Sequence, residues 1–149
     1  MEKDLYFVAV KLFLENDKDQ LLITKDRFND GWDLPGGRLR ENDFETSLSD
    51  VIKRKMSEEL GDKAIYEVGE PVVFMRHERE ELLSSGEKEM RRIFAIGYEA
   101  KYLGGEVVLG KNHEKYEWVD LKTFKPEDYF TGGWLRGVKE FQLYYNNKK

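Results

Sequence analysis

The chain has no cysteine, little proline and no long hydrophobic run. Its 149 residues include no Cys and three Pro. Without cysteine, a disulfide framework and a cysteine-ligated zinc or redox centre are both excluded. No apolar run approaches the roughly 18 residues of a membrane span, and the first residues lack a basic segment followed by an apolar one. These absences predict a cytoplasmic protein without membrane association.

The chain lacks an excess of positive charge: 30 Asp and Glu outnumber 25 Lys and Arg, and the net charge is −5. An extended nucleic-acid surface needs clustered Lys and Arg, so this balance argues against one. A small nucleotide remains possible, since a bound metal ion can invert the electrostatics of an acidic pocket. Hydrophobic residues make up 40% of the chain and aromatic residues 13%. Together with its length, this composition predicts a single globular domain over residues 1–149.

The pattern of apolar runs and turn residues predicts a mixture of strands and helices. Strands are expected at residues 8–14, 21–24, 72–75, 90–101 and 116–119, with the first two forming a hairpin. Helices are expected at residues 45–60, closed by Gly61, and at residues 134–145. The polar stretch 77–89 is typical of a mobile loop. Strands before, between and after two helices predict an α/β fold with a mixed sheet covered on both sides.

The first predicted helix carries two adjacent carboxylates, Glu58 and Glu59. At about 100° per residue, Glu59 and Lys55 fall inside the apolar stripe of this helix, and Glu58 falls at its edge. A carboxylate aimed into an apolar stripe is costly unless it is paired or bound to a metal. Two interpretations follow. Lys55 and Glu59 are four residues apart and would form a structural ion pair, or the carboxylates bind a divalent cation.

Two segments carry a family resemblance. The sequence Trp-Asp-Leu-Pro-Gly-Gly-Arg at 32–38, followed by Arg-Lys-Met-Ser-Glu-Glu-Leu-Gly at 54–61, resembles the signature of the Nudix hydrolases. That signature runs Gly, five residues, Glu, seven residues, then Arg-Glu-apolar-x-Glu-Glu-x-Gly. The matching positions are Gly37, Arg54, Met56, Glu58, Glu59 and Gly61. The resemblance implies a Nudix-type α/β/α sandwich.

The departures from this signature are specific. Sixteen residues separate Gly37 from Arg54, where the family pattern has thirteen, which predicts an extended loop at residues 40–44. Thr46 holds the nominal Glu position, and Glu45 stands one residue earlier. Lys55 replaces the first Glu of the Arg-Glu core. A charged ammonium has no lone pair and would repel a cation there.

The resemblance implies roles for named residues. The carbonyl of Gly37 and the carboxylates of Glu58 and Glu59 would bind Mg²⁺ or Mn²⁺, and the two carboxylates would take part in catalysis. Arg54 would orient them. Arg38 would contact a diphosphate or else pair with one of the nearby acids.

A narrower resemblance concerns the catalytic base. The chain is similar to the GDP-mannose mannosyl hydrolases at Pro-Gly-Gly-Arg, residues 35–38, and at His113-x-x-Tyr116-x-Trp118. In that branch the histidine is the general base and a preceding amide helps to hold magnesium, which would give these roles to His113 and Asn112. A substrate-binding or structural use of His113 is the alternative. Glu114 would supply a further carboxylate or remain a solvated charge.

These implications define the expected function. The resemblance predicts a Mg-dependent pyrophosphohydrolase acting on a nucleoside diphosphate linked to another moiety. One alternative is a nucleotide-sugar hydrolase like the GDP-mannose mannosyl hydrolases. Another is a catalytically weakened Nudix-fold module that binds nucleotide, which Lys55 motivates. The expected partner is a small nucleotide, and the aromatic C-terminal helix makes a homodimer possible.

Overall fold

A computed structural model of the chain describes residues 1–28 and 30–148. In chain order, the elements are β1 (Phe7–Glu15), β2 (Gln20–Asp26), β3 (Trp32–Asp33), β4 (Gly36–Arg38), α1 (Leu48–Leu60), β5 (Ile65–Leu82), β6 (Lys88–Gly104), β7 (His113–Asp120) and α2 (Gly132–Asn147). Short 3-10 turns lie at Glu41–Asp43 and Pro126–Asp128. Across these described ranges, neither helix has the length and apolar character needed to cross a membrane.

The strands form one mixed sheet, as predicted. Its main path runs β3-β2-β1-β6-β5, with β4 attached to β1 and β7 attached to β2. Strands β1 and β6 run parallel over nine residue pairs, whereas every other pairing is antiparallel. The predicted hairpin of β1 and β2 is confirmed by the pairing of Glu15 with Leu21.

The two helices lie on opposite faces of the sheet. Successive side chains of β1 point to opposite faces, and they belong alternately to the core of one helix and the core of the other. Ala9 and Phe13 belong to the core that contains α2, and the ring of Phe13 stacks on that of Phe141 with centroids 4.2 Å apart. Val10 and Leu12, with Leu14, belong to the second core, which contains the apolar side of α1. The α/β/α sandwich is therefore confirmed.

Helix α1 is shorter than predicted at its beginning. The Ser47 side chain accepts a hydrogen bond from the backbone N–H of Asp50 at 3.1 Å and so caps the helix, which begins at Leu48 rather than at Glu45. Gly61 ends the helix with φ of +83°, a conformation that glycine adopts readily. This ending is the one predicted.

The predicted mobile loop at residues 77–89 is wrong. Most of this stretch lies in the long hairpin of β5 and β6, and only residues 83–87 form the turn. Its side chains are polar because this end of the hairpin extends beyond the core, yet they are matched across the strands. Glu78 pairs with Arg92 in the sheet, and their side chains form an ion pair at 3.5 Å. Such pairs stabilise a strand without an apolar pattern.

Candidate functional site

The candidate site lies where the sheet divides. Strand β1 pairs with β2 only near their connection, and beyond it β1 pairs with β4 while β2 pairs with β3 and β7. A cavity of about 210 Å³ opens between these branches. Each branch contributes to its lining, with Lys11 from β1, Asp33 from β3, the Gly36–Arg38 strand and His113 from β7. The C-terminal end of α1 supplies Glu59.

Gly36 brings the backbone close to the helix. Its φ is +137°, and a Cβ at this position would lie 2.0 Å from the carbonyl oxygen of Val10, so only glycine fits. The backbone N–H of Gly36 then donates a hydrogen bond to Oε1 of Glu59 at 3.1 Å. The glycine strand and the second carboxylate of the predicted motif are therefore in direct contact.

The Glu59 carboxylate is partly buried and, among the described residues, has no cationic partner in direct contact. Its side chain is 20% exposed. Burial raises its pKa from 4.5 to about 7, although the Lys11 ammonium and the Gly36 N–H act in the opposite direction. A carboxylate that is only partly ionised near neutral pH is typical of a functional site, where it binds a cation or transfers a proton.

His113 faces this carboxylate from the start of β7. Its Nε2 lies 3.9 Å from Oε1 of Glu59. Its Nδ1 is buried and has no hydrogen-bond partner among residues 1–28 and 30–148. Burial lowers the pKa of His113, so the neutral imidazole is favoured. Asn112 lines the same cavity, and a second cavity of about 500 Å³ reaches from these two residues to Glu58.

Glu58 and Arg54 lie on the outer side of α1. The Glu58 carboxylate is 43% exposed and is bound by Arg40 at 3.1 Å and by Nε of Arg54 at 3.5 Å. Arg54 also donates two hydrogen bonds to Asp43, at 2.6 and 3.0 Å. The Asp43 side chain is only 1% exposed, and the Arg54 guanidinium holds its pKa well below the ordinary range.

Asp43 corrects the alignment of the motif. Neither Glu45, which is exposed, nor Thr46 is the partner of Arg54. Counting five residues after Gly37 leads directly to Asp43, so the first spacing of the family pattern is intact with Asp in place of Glu. The three extra residues follow Asp43, and the predicted extension at residues 40–44 is therefore misplaced. This spacing was the signal in the sequence that identifies Asp43.

Lys55 does not form the predicted pair with Glu59. Its side chain is buried and lies across Gly37, where an added Cβ would be 3.2 Å from Cδ and 3.4 Å from Nζ of the lysine. In the described part of the chain no carboxylate forms an ion pair with it. Burial, reinforced by Arg40 and Arg54, lowers its pKa. The prediction that Lys55 lies inside the buried stripe is nevertheless confirmed.

A second buried lysine was not predicted. Nζ of Lys11 is 3.0 Å from each carboxylate oxygen of Asp33 and 5.5 Å from the ring centre of Trp134. Both residues of this pair line the cavity. A single lysine within the apolar run of residues 8–14 was the available signal, because an ammonium in a buried strand requires a partner.

The remaining predicted residues divide between cavity and surface. Arg38 lines the cavity and binds the Glu81 carboxylate through both terminal nitrogens, which realises the alternative in which it pairs with an acid. Glu114 is exposed and is absent from the lining of either cavity. The structure therefore does not bring Glu114 to the site.

The oxygen ligands around the cavity fit one metal ion better than several. Over the residues that the structure describes, no group of three or more acidic, His or Cys side chains is arranged to hold a metal ion. Glu59 does fit a single hard cation, because a partly buried carboxylate with a raised pKa gains from a positive charge. Glu58 lies on the same helix turn and lines the second cavity, Gly37 lines the first, and oxygen donors of this kind suit Mg²⁺.

The fold is a mixed sheet between two helices. Its cavity is formed where the glycine strand β4 and the end of α1 meet at the partly buried Glu59 carboxylate. A family model of the NUDIX domain matches residues 5–136. The chain therefore belongs to the Nudix family, and the prediction of a Nudix hydrolase is confirmed at the level of the family.

Individual proteins support the same conclusion. The chain is 27% identical over 119 residues to the nucleoside triphosphatase NudI of Escherichia fergusonii, covering 77% of this chain and 79% of the relative. The MutT protein of Methanosarcina mazei Go1 has a TM-score of 0.68 at 22% identity, with 100% of both chains covered. An ADP-ribose pyrophosphatase of Streptococcus suis has a TM-score of 0.64 at 13% identity, covering 95% of this chain and 92% of that one. These structural similarities describe the fold.

Proposed function

We propose that this protein hydrolyses the diphosphate bond of a small nucleotide, a nucleoside diphosphate linked to another moiety, with Mg²⁺ or Mn²⁺ as cofactor. One observation carries the proposal. The partly buried Glu59 carboxylate accepts a hydrogen bond from the Gly36 N–H at 3.1 Å and faces His113 at 3.9 Å inside a cavity. The activities named for NudI and for the Streptococcus suis protein also concern phosphate anhydrides, which supports this substrate class.

The metal would be held by Glu59, with Glu58 and the Gly37 carbonyl as further donors. When bound, Mg²⁺ supplies positive charge for the diphosphate oxygens and lowers the pKa of water. Arg54 acts as a positioning residue, because its bonds to Asp43 and its approach to Glu58 fix the outer side of the helix. Arg38 would bind a diphosphate oxygen after exchanging its present partner.

His113 is the proposed general base. The gap of 3.9 Å between its Nε2 and Oε1 of Glu59 is too long for a direct hydrogen bond, and a water molecule can span such a gap. The lowered pKa keeps the imidazole neutral near pH 7, so Nε2 is available to accept a proton from water. Asn112, the adjacent cavity residue, would bind substrate through its amide.

The test is a panel of nucleoside triphosphates, dinucleotides and nucleotide sugars, assayed with and without Mg²⁺. Phosphate-containing products should appear only with the metal. Glu59→Gln should abolish turnover, while Glu45→Gln, an exposed acid close to the same helix, should leave it unchanged. Failure to turn over any substrate, at concentrations where another Nudix hydrolase is active, would contradict the proposal.

A nucleotide-sugar hydrolase is the second candidate, favoured by the placement of His113 and Asn112 together in the cavity. The products separate the two reactions. Free sugar with intact nucleoside diphosphate indicates glycosyl hydrolysis, whereas sugar phosphate with nucleoside monophosphate indicates cleavage of the diphosphate. His113→Gln should impair either reaction, because the imidazole is the proposed base in both, so the products alone distinguish the two candidates.

A binding module without catalysis is the third candidate, because Lys55 occupies the space beside Gly37. Lys55→Glu distinguishes it from a weakened enzyme. In an enzyme, the added carboxylate should increase both Mg²⁺ affinity, measured by calorimetry, and turnover. In a binding module, the substitution should change neither or should impair nucleotide binding.

Three further features complete the proposal. We propose that residues 1–149 form one Nudix domain that acts in the cytoplasm. A homodimer through the aromatic C-terminal helix remains a prediction, for which sedimentation measurements are the direct assay.

A further inference from the structure

Three arginines converge beside the cavity. Arg79 and Arg91 are directly opposite each other in the antiparallel pairing of β5 with β6. Arg38 reaches the same place from β4. The ring of Phe7 lies between two of these side chains, with its centre 5.1 Å from the guanidinium carbon of Arg38 and 5.0 Å from that of Arg91. We call Arg38, Arg79 and Arg91 the arginine cluster.

One carboxylate occupies the centre of the arginine cluster. Glu81 accepts hydrogen bonds from both terminal nitrogens of Arg38 and, at 2.8 Å, from Nε of Arg79. Arg91 binds Glu89 at 3.0 Å through one terminal nitrogen. Its own Nε is buried and has no hydrogen-bond partner in the described ranges. The cluster therefore retains an unused donor.

The arginine cluster carries more positive charge than its partners neutralise. Three guanidiniums face two carboxylates, and like charges directly opposite in a sheet are destabilising. Burial and the charges of Arg79 and Arg91 lower the pKa of Arg38, which shows that the repulsion reaches it. An excess of positive charge that destabilises the free protein is expected at a site where a ligand supplies the missing negative charge.

The cluster is continuous with the reaction centre. Arg38 and Arg79 line the cavity of about 210 Å³ that also contains Glu59 and His113. The forked contact between Arg38 and Glu81 is the geometry in which a guanidinium binds a phosphoryl group. A phosphoryl group offers a third oxygen, which the carboxylate of Glu81 lacks.

We propose that the arginine cluster is a phosphoryl-binding subsite, and that Glu81 occupies it until an anionic ligand displaces it. The inference rests on the proposed function, because the phosphoryl group would belong to the nucleotide that reaches Glu59. It adds a statement about the substrate class. Either the preferred nucleotide carries a terminal phosphoryl group beyond the bond that is cleaved, or the subsite binds free inorganic pyrophosphate.

Binding of inorganic pyrophosphate, measured by calorimetry in EDTA, tests the subsite without metal or turnover. Arg79→Gln and Arg91→Gln should each weaken binding by about tenfold or more, since each removes a charged hydrogen-bond donor. Arg92→Gln is the matched control. Arg92 is the neighbour of Arg91 on the same strand, points to the opposite face and pairs with Asp4 and Glu78. Equal affinities in all three variants would overturn the proposal.

Glu81→Gln gives a result of opposite sign. Removing the resident charge should tighten pyrophosphate binding by about threefold or more. If Glu81 instead only holds the arginines in place, the same change should weaken binding. Thermal melting of every variant checks that the fold is retained, and the double variant Arg79→Gln/Glu81→Gln keeps the local net charge unchanged if a single variant fails to fold.

Hydrolysis assays separate this proposal from the proposed function. Turnover with an unchanged KM in Arg79→Gln and Arg91→Gln would sink the subsite and preserve the hydrolase. Arginine-dependent pyrophosphate binding without any turnover would do the reverse. Among active nucleotides, loss of affinity for triphosphates but not for nucleotide sugars identifies a substrate phosphoryl group as the ligand. If the variants lose only their inhibition by pyrophosphate, the ligand of the subsite is the free anion.

Discussion

Replacing Glu59 with glutamine should make the metal-free protein more stable, although it removes the proposed metal ligand. Glutamine is a neutral isostere that still offers Oε1 to the Gly36 N–H. Wild-type Glu59 has a pKa of about 7 in the folded protein and an ordinary value of 4.5. The folded state therefore binds the proton more tightly than the unfolded state, and the stability of the wild type should fall as the pH rises from 4.5 to 7.

The size of the effect follows from this pKa difference. At about 1.4 kcal/mol for each tenfold change in proton affinity, ionised Glu59 costs about 3 kcal/mol above pH 7. The side chain is 20% exposed, so screening by solvent reduces this to about 2–3 kcal/mol. For a chain of this length, we expect Glu59→Gln to raise the melting temperature at pH 8 by about 5–10 °C.

Urea denaturation at several pH values between 5 and 8, in EDTA, is the appropriate assay. The difference between Glu59→Gln and wild type should be smallest at pH 5 and should grow to its full size by pH 8. Glu45→Gln should show no such trend. Mg²⁺ added in excess of the EDTA should stabilise the wild type and Glu45→Gln, in proportion to its binding, but not Glu59→Gln. A glutamine variant that is less stable than wild type at pH 8, or a difference independent of pH, would refute the reasoning.

Two further predictions concern residues around the site. Asp43→Asn should lower the melting temperature by several degrees, because it leaves Arg54 without its buried partner. Since the pKa of Asp43 is lowered, this loss of stability should be present at neutral pH and should shrink in acid, below the ordinary pKa of 3.8. His77 accepts a hydrogen bond from the Gly133 N–H at 3.1 Å, and burial lowers its pKa from 6.5 to about 4. Wild-type stability from this residue should therefore be complete above pH 6.5 and decline towards pH 4, and His77→Phe should remove that decline in urea midpoints measured at both ends of the range.

The fold was largely predictable because its core elements have strong periodic patterns. The apolar run at residues 8–14 predicted a buried strand and the apolar stripe of α1 predicted a core-facing helix, and both lie in the core. The outer half of the β5–β6 hairpin was missed because its pattern is one of charge. Alternating acids and bases match across strands, as in the pair of Glu78 with Arg92, but the partner strand is unknown until the sheet has formed.

The site was predictable where a motif kept its spacing and unpredictable where partners come from distant segments. Gly36 and Glu59 are 23 positions apart and were placed together by the motif. Lys11 and Asp33 are 22 apart, and no local pattern relates them. Lys55 shows a second limit. Helical spacing allowed a pair with Glu59, but the lysine side chain lies across Gly37 instead, because β4 packs against the same turn of α1.

The balance of charge distinguishes Glu59 from its neighbours. Four other carboxylates around the cavities each have a cationic partner within the chain: Asp33 with Lys11, Asp43 with Arg54, Glu58 with Arg40, and Glu81 with Arg38. Glu59 has a backbone N–H and, 3.9 Å away, an imidazole that burial keeps neutral. A divalent cation brought to this site therefore gains more from Glu59 than from these four acids, since each of them must first release a resident cation. We expect Glu59→Gln to reduce Mg²⁺ affinity much more than Glu58→Gln does, and equal losses in calorimetric titrations would contradict the ranking of Glu59 as the principal ligand.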